Sequence, residues 1–323
     1  MNICRMGVRP YLLAPAAAAS VVVALWFFQR RKRRRKVVIT GACGNLGSKL
    51  GMSLAKDQWI VVGIEHPAFV SAAPWLEELV VDDVAVSRGR WRHAFEGADC
   101  VVHFSAVNPY PNASWAESAA SMDHAINVMI AAERCGVRRV VIASSNHVMG
   151  GYKDDVAHGD IRPTDPPRCG TFHNDASLLP KAGDAVAYAA AKLAAERLAQ
   201  ALASPRTTFV TLRVGWCQPG ENLPETLSGI GVPPQFQNAQ RDAAKATNDL
   251  DEAWFKMMWL SNTDFVGFFT AALDAPLPDL QHYVVLNAMS ANTGARWSLS
   301  DTVRVLGVRA CDDVWSSLKE RHC

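Results

Sequence analysis

The sequence predicts an α/β protein with a doubly wound parallel sheet, and three observations carry that reading. A β-branched run at 36–41, KVVITG, turns through glycines spaced three apart into a helical stretch. Short apolar strands and helical stretches then alternate as far as residue 215. Tyr188 and Lys192, four apart, lie on one face of a strongly helical segment ahead of the sixth strand.

Residues 36–41 read as a buried strand, and GACGNLGSKLGMSLAK (41–56) as a helix opening on Gly41, Gly44 and Gly47, with Asn45 and Leu46 on the same turn. One glycine serves the sharp turn, one lets backbone approach a pyrophosphate, and one permits close helix-to-strand packing. The helix N–H groups face the phosphates. WIVVGIE (59–65) is a second strand ending in Glu65, whose carboxylate can accept from both adenosine ribose hydroxyls and repel a 2′-phosphate. No arginine follows it at once, so NAD is favoured over NADP. A short strand ending in VVDDV (80–84) puts Asp83 and Val84 where the adenine would lie.

A helix is expected over about 88–95, a strand at CVVHFSA (100–106), a long helix over 114–135 and a strand at VRRVVIASS (137–145). The Tyr–Lys helix AYAAAKLAAERLAQAL leads into the strand FVTLRVG (209–215). HYVVLNAM (282–289) and SLSDTVRVLG (298–307) read as a smaller, substrate-holding C-terminal part. The expected organisation is a targeting or anchoring segment at 1–36, a Rossmann-type dinucleotide-binding domain at 37–215 and a substrate-binding part at 216–323.

Ligands of such sheets lie beyond the carboxyl ends of the strands, where Ser145 would project. Ser145, Tyr188 and Lys192 can then converge on one oxygen. An ammonium near a phenol favours phenolate and lowers a pKa that is about 10 when unperturbed, making Tyr188 a general acid and base.

Of 323 residues, 49% are hydrophobic and 20% charged, which excludes a disordered or collagen-like chain. Nine of the 33 basic residues and no acid lie in the first 36. The remainder holds 24 bases against 31 acids, or −7, which argues against a nucleic-acid-binding body. Eight scattered cysteines without a C-x-x-C pair suggest buried thiols rather than a disulfide framework or a metal site.

From Tyr11 to Phe28 run 18 uncharged residues, followed by the basic run Arg30–Lys36. The length suits a short transmembrane helix, and the positive-inside rule then leaves the body in the cytosol. Residues 11–36 would also meet anionic lipid at the membrane surface. The alternatives are a cleaved signal peptide or a cleaved transit peptide for a mitochondrion or another organelle.

The motifs TGACGNLG, HFSA, ASSNHVMG, YAAAK and LRVG stand in the order found in extended short-chain dehydrogenase/reductases, the NAD-dependent epimerase/dehydratase group, which the chain resembles over roughly 37–320. The resemblance implies that Tyr188 is acid and base, Lys192 holds the nicotinamide ribose, and Ser145 hydrogen-bonds the reacting oxygen. Asn127 matches an asparagine of relatives. SSNHV, WLSNTDF (259–265) and ARWSLSDTVRVLG (296–307) look most like uronate dehydrogenases, which oxidise the C1 hydroxyl of a hexuronic acid. This implies substrate contacts from Asn108, Asn146 and His147, and a homodimer paired through long helices.

The chain departs from those relatives in lacking a basic residue between Arg213 and Arg241, where they hold the substrate carboxylate. Arg241, Lys245 or Lys256, in the long segment 221–256, would have to substitute, and a second insertion at 168–186 precedes Tyr188. The expectation is an NAD-dependent oxidoreductase acting on a sugar-like hydroxyl, a uronic acid among the candidates. An NDP-sugar epimerase, a membrane-associated sterol dehydrogenase, and a non-catalytic NAD(H)-binding scaffold or sensor are the alternatives.

Overall fold

A computed structural model describes residues 34–57, 59–106, 114–171, 184–227, 249–278 and 280–320. Seven strands, β1 (Lys36–Thr40), β2 (Ile60–Glu65), β3 (Glu78–Val81), β4 (Cys100–His103), β5 (Arg139–Ser145), β6 (Thr208–Val214) and β7 (Tyr283–Ala288), form one sheet in the order β3-β2-β1-β4-β5-β6-β7. Every neighbouring pair is parallel. The strand order reverses between β1 and β4, which opens a crevice at their carboxyl ends.

Side chains along β1 alternate between two cores, as the pleat demands. Val37 and Ile39 meet Leu50 and Leu54 of α1 (Asn45–Lys56) and Phe265, Phe268 and Phe269 of the helix Asn262–Asp274. Val38 faces Met129 and Ala132 of α2 (Trp115–Arg134) and Ala195 and Ala199 of α3 (Val186–Leu202). Each fully buried Phe or Leu stabilises by about 1.5–3 kcal/mol. α2 starts at Ser114, whose side chain and that of Glu117 form a reciprocal capping box.

Two segments differ from the sequence reading. The stretch expected as a helix over 88–95 is a 3-10 turn at Arg90–Phe95, a tighter form usual in short connectors. Tyr283–Ala288, read from the sequence as belonging to the smaller C-terminal part, extends the main sheet along β6. Between β6 and β7 run α4 (Asp249–Met257) and α5 (Asn262–Asp274), followed after β7 by α6 (Ser300–Leu306) and α7 (Val314–Glu320). Asp264 ties this last stretch down, its Oδ1 accepting the Cys311 N–H at 2.9 Å and its Oδ2 the Ser290 hydroxyl at 2.5 Å.

The apolar stretch 11–28 lies outside the described residues. Among the described residues no helix is long and apolar enough to cross a membrane. The end of the basic run is held by the body: the Arg35 guanidinium lies 4.0 Å over the Trp59 ring and pairs with Asp274, and Lys36 donates to the Glu96 carbonyl at 3.1 Å.

Candidate active site

The turn after β1 is shaped by glycine. Gly41 sits at φ +68, and a Cβ there would come within 3.1 Å of the Ser105 nitrogen. A Cβ on Gly47 would lie 2.1 Å from the Gly41 carbonyl oxygen, closer than any real contact. No side chain caps α1 and its first turn carries no acid, so the backbone around Gly44 to Gly47 keeps a site suited to an anion. The Asn45 side chain faces elsewhere, donating to the Cys217 carbonyl at 2.7 Å. Lys49, one turn on, donates to the Gln218 carbonyl at 2.5 Å. Helix α1 is thereby fastened to the segment that follows β6.

Glu65 closes the far side of this cradle. Its Oε2 accepts the Cys43 N–H at 2.8 Å and its Oε1 the His66 N–H at 3.0 Å, and burial raises its pKa above the usual carboxylate range despite these bonds. Each carboxylate oxygen keeps a further lone pair for a hydroxyl. Asp83 accepts from the Ala85 N–H at 2.8 Å, and buried Val84 lies beside it. Asn127 of α2 donates to the Val84 and Ala85 carbonyls at 3.0 and 2.9 Å, fixing the loop that borders Glu65. Glycine cradle, uncapped helix start and strand-end acid fit an adenine dinucleotide, with its diphosphate over α1 and its adenosine ribose at Glu65.

On the other side of the crevice, helix α3 sets three side chains against β5. The Tyr188 phenol lies beside the Ser145 hydroxyl, Lys192 Nζ donates to the Ala143 carbonyl at 2.9 Å, and Ser144 Oγ donates to Glu196 at 2.6 Å. Residues 188, 192 and 196 lie one turn apart on the helix face that meets the strand. Ser145 is in register with Val214 of β6, so Trp216 stands two residues beyond it at the same sheet edge. The Trp216 ring stacks on Phe255 at 5.4 Å and lies 6.2 Å from the His147 ring, itself 6.1 Å from Tyr188.

The electrostatics correct one expectation. Tyr188 is pushed up to about 12 rather than lowered, because burial of the phenolate outweighs the lowering influence of the neighbouring Ser145 hydroxyl. Lys192, also enclosed, falls to about 8, against an opposing pull from Glu196. Its ammonium stands 5.7 Å from the centre of the Tyr188 ring and is engaged by a carbonyl, so desolvation dominates for both groups.

His147 is buried, its Nδ1 sharing a 2.9 Å hydrogen bond with Thr171 Oγ1. Asn146 is buried beneath Ser145, its Oδ1 accepting from the serine hydroxyl at 3.4 Å and its Nδ2 contacting Met258 sulfur. Asn108, Arg241 and Lys245 lie outside the described residues. Lys256 is not placed to meet a substrate carboxylate as expected, since its ammonium is buried and donates to the Pro224 and Leu227 carbonyls at 2.9 and 2.8 Å.

Sequence reading passed over Glu196, Arg213, Lys49 and Trp216. The first had a local signal, four residues after Lys192 on the same helix face. The others meet the site only through contacts made in the fold.

The model of the NAD dependent epimerase/dehydratase family matches residues 37–215, more than half of the chain. An L-arabinose 1-dehydrogenase (NAD(P)(+)) of Haloferax volcanii is 28% identical over 288 residues, covering 86% of this chain and 96% of that one. A uronate dehydrogenase of Pseudomonas syringae pv. tomato is 32% identical over 133 residues, covering 39% and 46%. Among solved structures, uronate dehydrogenase from Agrobacterium tumefaciens superposes with a TM-score of 0.63 at 22% identity, over 89% of this chain and 88% of that one. At that identity the likeness concerns the fold.

Proposed function

This chain belongs to the NAD dependent epimerase/dehydratase family, and we propose that it is an NAD-dependent oxidoreductase that oxidises a ring hydroxyl of a cyclic sugar, C1 being the position attacked. The observation that carries this reading is the meeting of Ser145, Tyr188 and Lys192 at the carboxyl end of β5, across the crevice from the glycine cradle. Similarity to an L-arabinose 1-dehydrogenase along almost all of that protein supports a sugar oxidised at C1.

When bound, the dinucleotide supplies the hydride acceptor. The protein's part is positioning and proton transfer. Backbone amides at Gly44 to Gly47 would hold the diphosphate, and Glu65 the adenosine ribose hydroxyls, with repulsion of a 2′-phosphate favouring NAD. Ser145 donates to the substrate oxygen, Tyr188 as its phenolate takes the hydroxyl proton and returns to the neutral phenol, and Lys192 would hold the nearer ribose while its charge stabilises the phenolate before that transfer.

An uncharged sugar is favoured over a uronate by the engagement of five cations that the described residues bring to the ends of β5, β6 and β7 and the segments after them. Lys153 pairs with Asp154 at 3.0 Å, Arg168 with Asp155 at 2.7 Å, and Arg213 with Glu196 at 2.8 Å. Arg296 donates to the Tyr152 carbonyl at 2.8 Å, and Lys256 to carbonyls as above. Trp216, held by Met258 and stacked on Phe255, stands where the apolar face of a sugar ring can rest. The apolar segment 11–28 and the basic run after it support a membrane-anchored form with the body in the cytosol, and the family resemblance supports a homodimer.

NADH formation by the whole chain is measured with L-arabinose, other neutral aldoses, glucuronate and galacturonate, beside Tyr188→Phe. The expected result is turnover on a neutral aldose, reduced roughly 10²–10⁴-fold by Tyr188→Phe. Full turnover by Tyr188→Phe refutes the mechanism, and preferential turnover of a uronate refutes the substrate reading.

A further inference from the structure

We infer that Glu196 and Arg213 are positioning residues for the proposed reaction: together they lock the catalytic helix to the sheet and hold Lys192 in its charged form. The inference rests on the Ser–Tyr–Lys reading of the site and gives a role to two buried groups that this reading leaves without one.

Glu196 and Arg213 are both buried, with only 3% and 2% of their surface exposed. The pair is a two-pronged one: Arg213 Nε donates to Oε1 at 2.9 Å and Nη2 to Oε2 at 2.8 Å. Ser144 adds a third donor at 2.6 Å, and the remaining Nη1 of Arg213 donates to the Pro163 carbonyl at 3.1 Å. The unit therefore joins α3, β5, β6 and the loop after β5, immediately beneath Ser145. An ion pair so enclosed is a poor source of net stability, because desolvating two charges offsets most of their attraction. Its geometry points to a second use.

That use is visible along α3. Glu196 lies one turn beyond Lys192, and both are anchored to successive residues of β5, Lys192 on the Ala143 carbonyl and Glu196 on the Ser144 hydroxyl. A carboxylate at this spacing attracts the Lys192 ammonium through an interior that screens charge weakly. Arg213 meanwhile holds the same carboxylate aimed at the strand. Among the described residues the groups around Lys192 are few. Tyr188 shares its helix, and β5 presents Ala143, Ser144 and Ser145, none titratable at working pH. β4 presents His103, which burial holds neutral, well below its ordinary range, and whose Nδ1 bonds Thr40 at 2.8 Å. On β7, Tyr283 faces Glu196 and Arg213 as a neutral phenol, held protonated by burial. Glu196 is thus the carboxylate that supports the lysine charge, and Arg213 the cation that tempers it.

The test follows the ionisation of Lys192 itself, through its 13Cε signal in lysine-labelled whole chain, assigned by its loss in Lys192→Met. Glu196→Gln should move the titration midpoint down by about one pH unit, a tenfold change, since the attraction is lost and Arg213 repels. Arg213→Met should move it up. The double variant Glu196→Gln/Arg213→Met, which leaves no unpaired buried charge, should fold as the parent does and leave the midpoint below its parental value but above that of Glu196→Gln alone. NADH fluorescence titrations across the same range should show the alkaline weakening of binding displaced in the same directions. Variants that melt earlier yet leave the Lys192 midpoint in place, or that displace it in one common direction, overturn the inference. Midpoints displaced as expected in a protein that binds no NADH would overturn the cofactor reading and leave the role of the pair standing.

Discussion

Replacing Lys192 by methionine should stabilise the protein while abolishing its chemistry. Burial brings Lys192 to about 8 in the folded chain from an ordinary value of 10.5. Below pH 8 both folded and unfolded chains carry the proton, and the fold bears the whole cost of enclosing it. As pH rises through 8 the folded chain gives up the proton first, the unfolded chain holding it until about 10.5, so the cost fades across that window. The two values correspond to at most about 3 kcal/mol at pH 7 and about 1.4 kcal/mol at pH 9.5. Lys192 as a whole is half-buried, so solvent screening trims the gain to about 1.5–2 kcal/mol at pH 7. For a body of this size that raises the melting temperature by roughly 3 °C. Thermal unfolding of parent and Lys192→Met at pH 7 and 9.5 checks this. A variant that melts lower at pH 7, or whose advantage is undiminished at pH 9.5, refutes the view that the site pays in stability for a buried charge.

Gly47→Ala should weaken NADH binding at least tenfold and lower the melting temperature, because its Cβ would lie 2.1 Å from the Gly41 carbonyl and the loop must open to admit it; fluorescence titration and melting read both effects. Glu65→Ala removes the acceptor of the Cys43 N–H and the charge that repels a 2′-phosphate. NADH binding should weaken and the NADH-to-NADPH affinity ratio should fall by roughly 10–100-fold, while an unchanged ratio in paired titrations would place cofactor choice elsewhere.

The parts legible in the sequence are those whose cause is local. Three glycines between a β-branched run and a helix admit few other conformations, and the structure has the turn with Gly41 at positive φ and Gly47 against its carbonyl. Strands buried on both faces read as unbroken apolar runs, so β1, β2, β4, β5 and β6 lie within one to three residues of the expected ends. The four-residue spacing of Tyr188 and Lys192 likewise guarantees a shared face once the helix forms.

Other features arise only when distant segments meet. HYVVLNAM has the same composition whether it builds a separate part or extends the sheet, and pairing with β6 decides it. Nothing local tells that Lys256 will be enclosed by the Pro224 and Leu227 carbonyls rather than offered to a substrate. The Tyr188 shift runs opposite to the direction its spacing from Lys192 suggests for the same reason: spacing shows that an ammonium is near, but the depth of burial that outweighs it depends on β5 and the loop behind it. By itself the sequence determined the cradle, the strand-end acid and the catalytic helix, because backbone sterics and helical periodicity act over a few residues. Only the tertiary structure decided which charges are buried, which are paired and which way each proton leans, because desolvation and pairing depend on what the rest of the chain brings alongside.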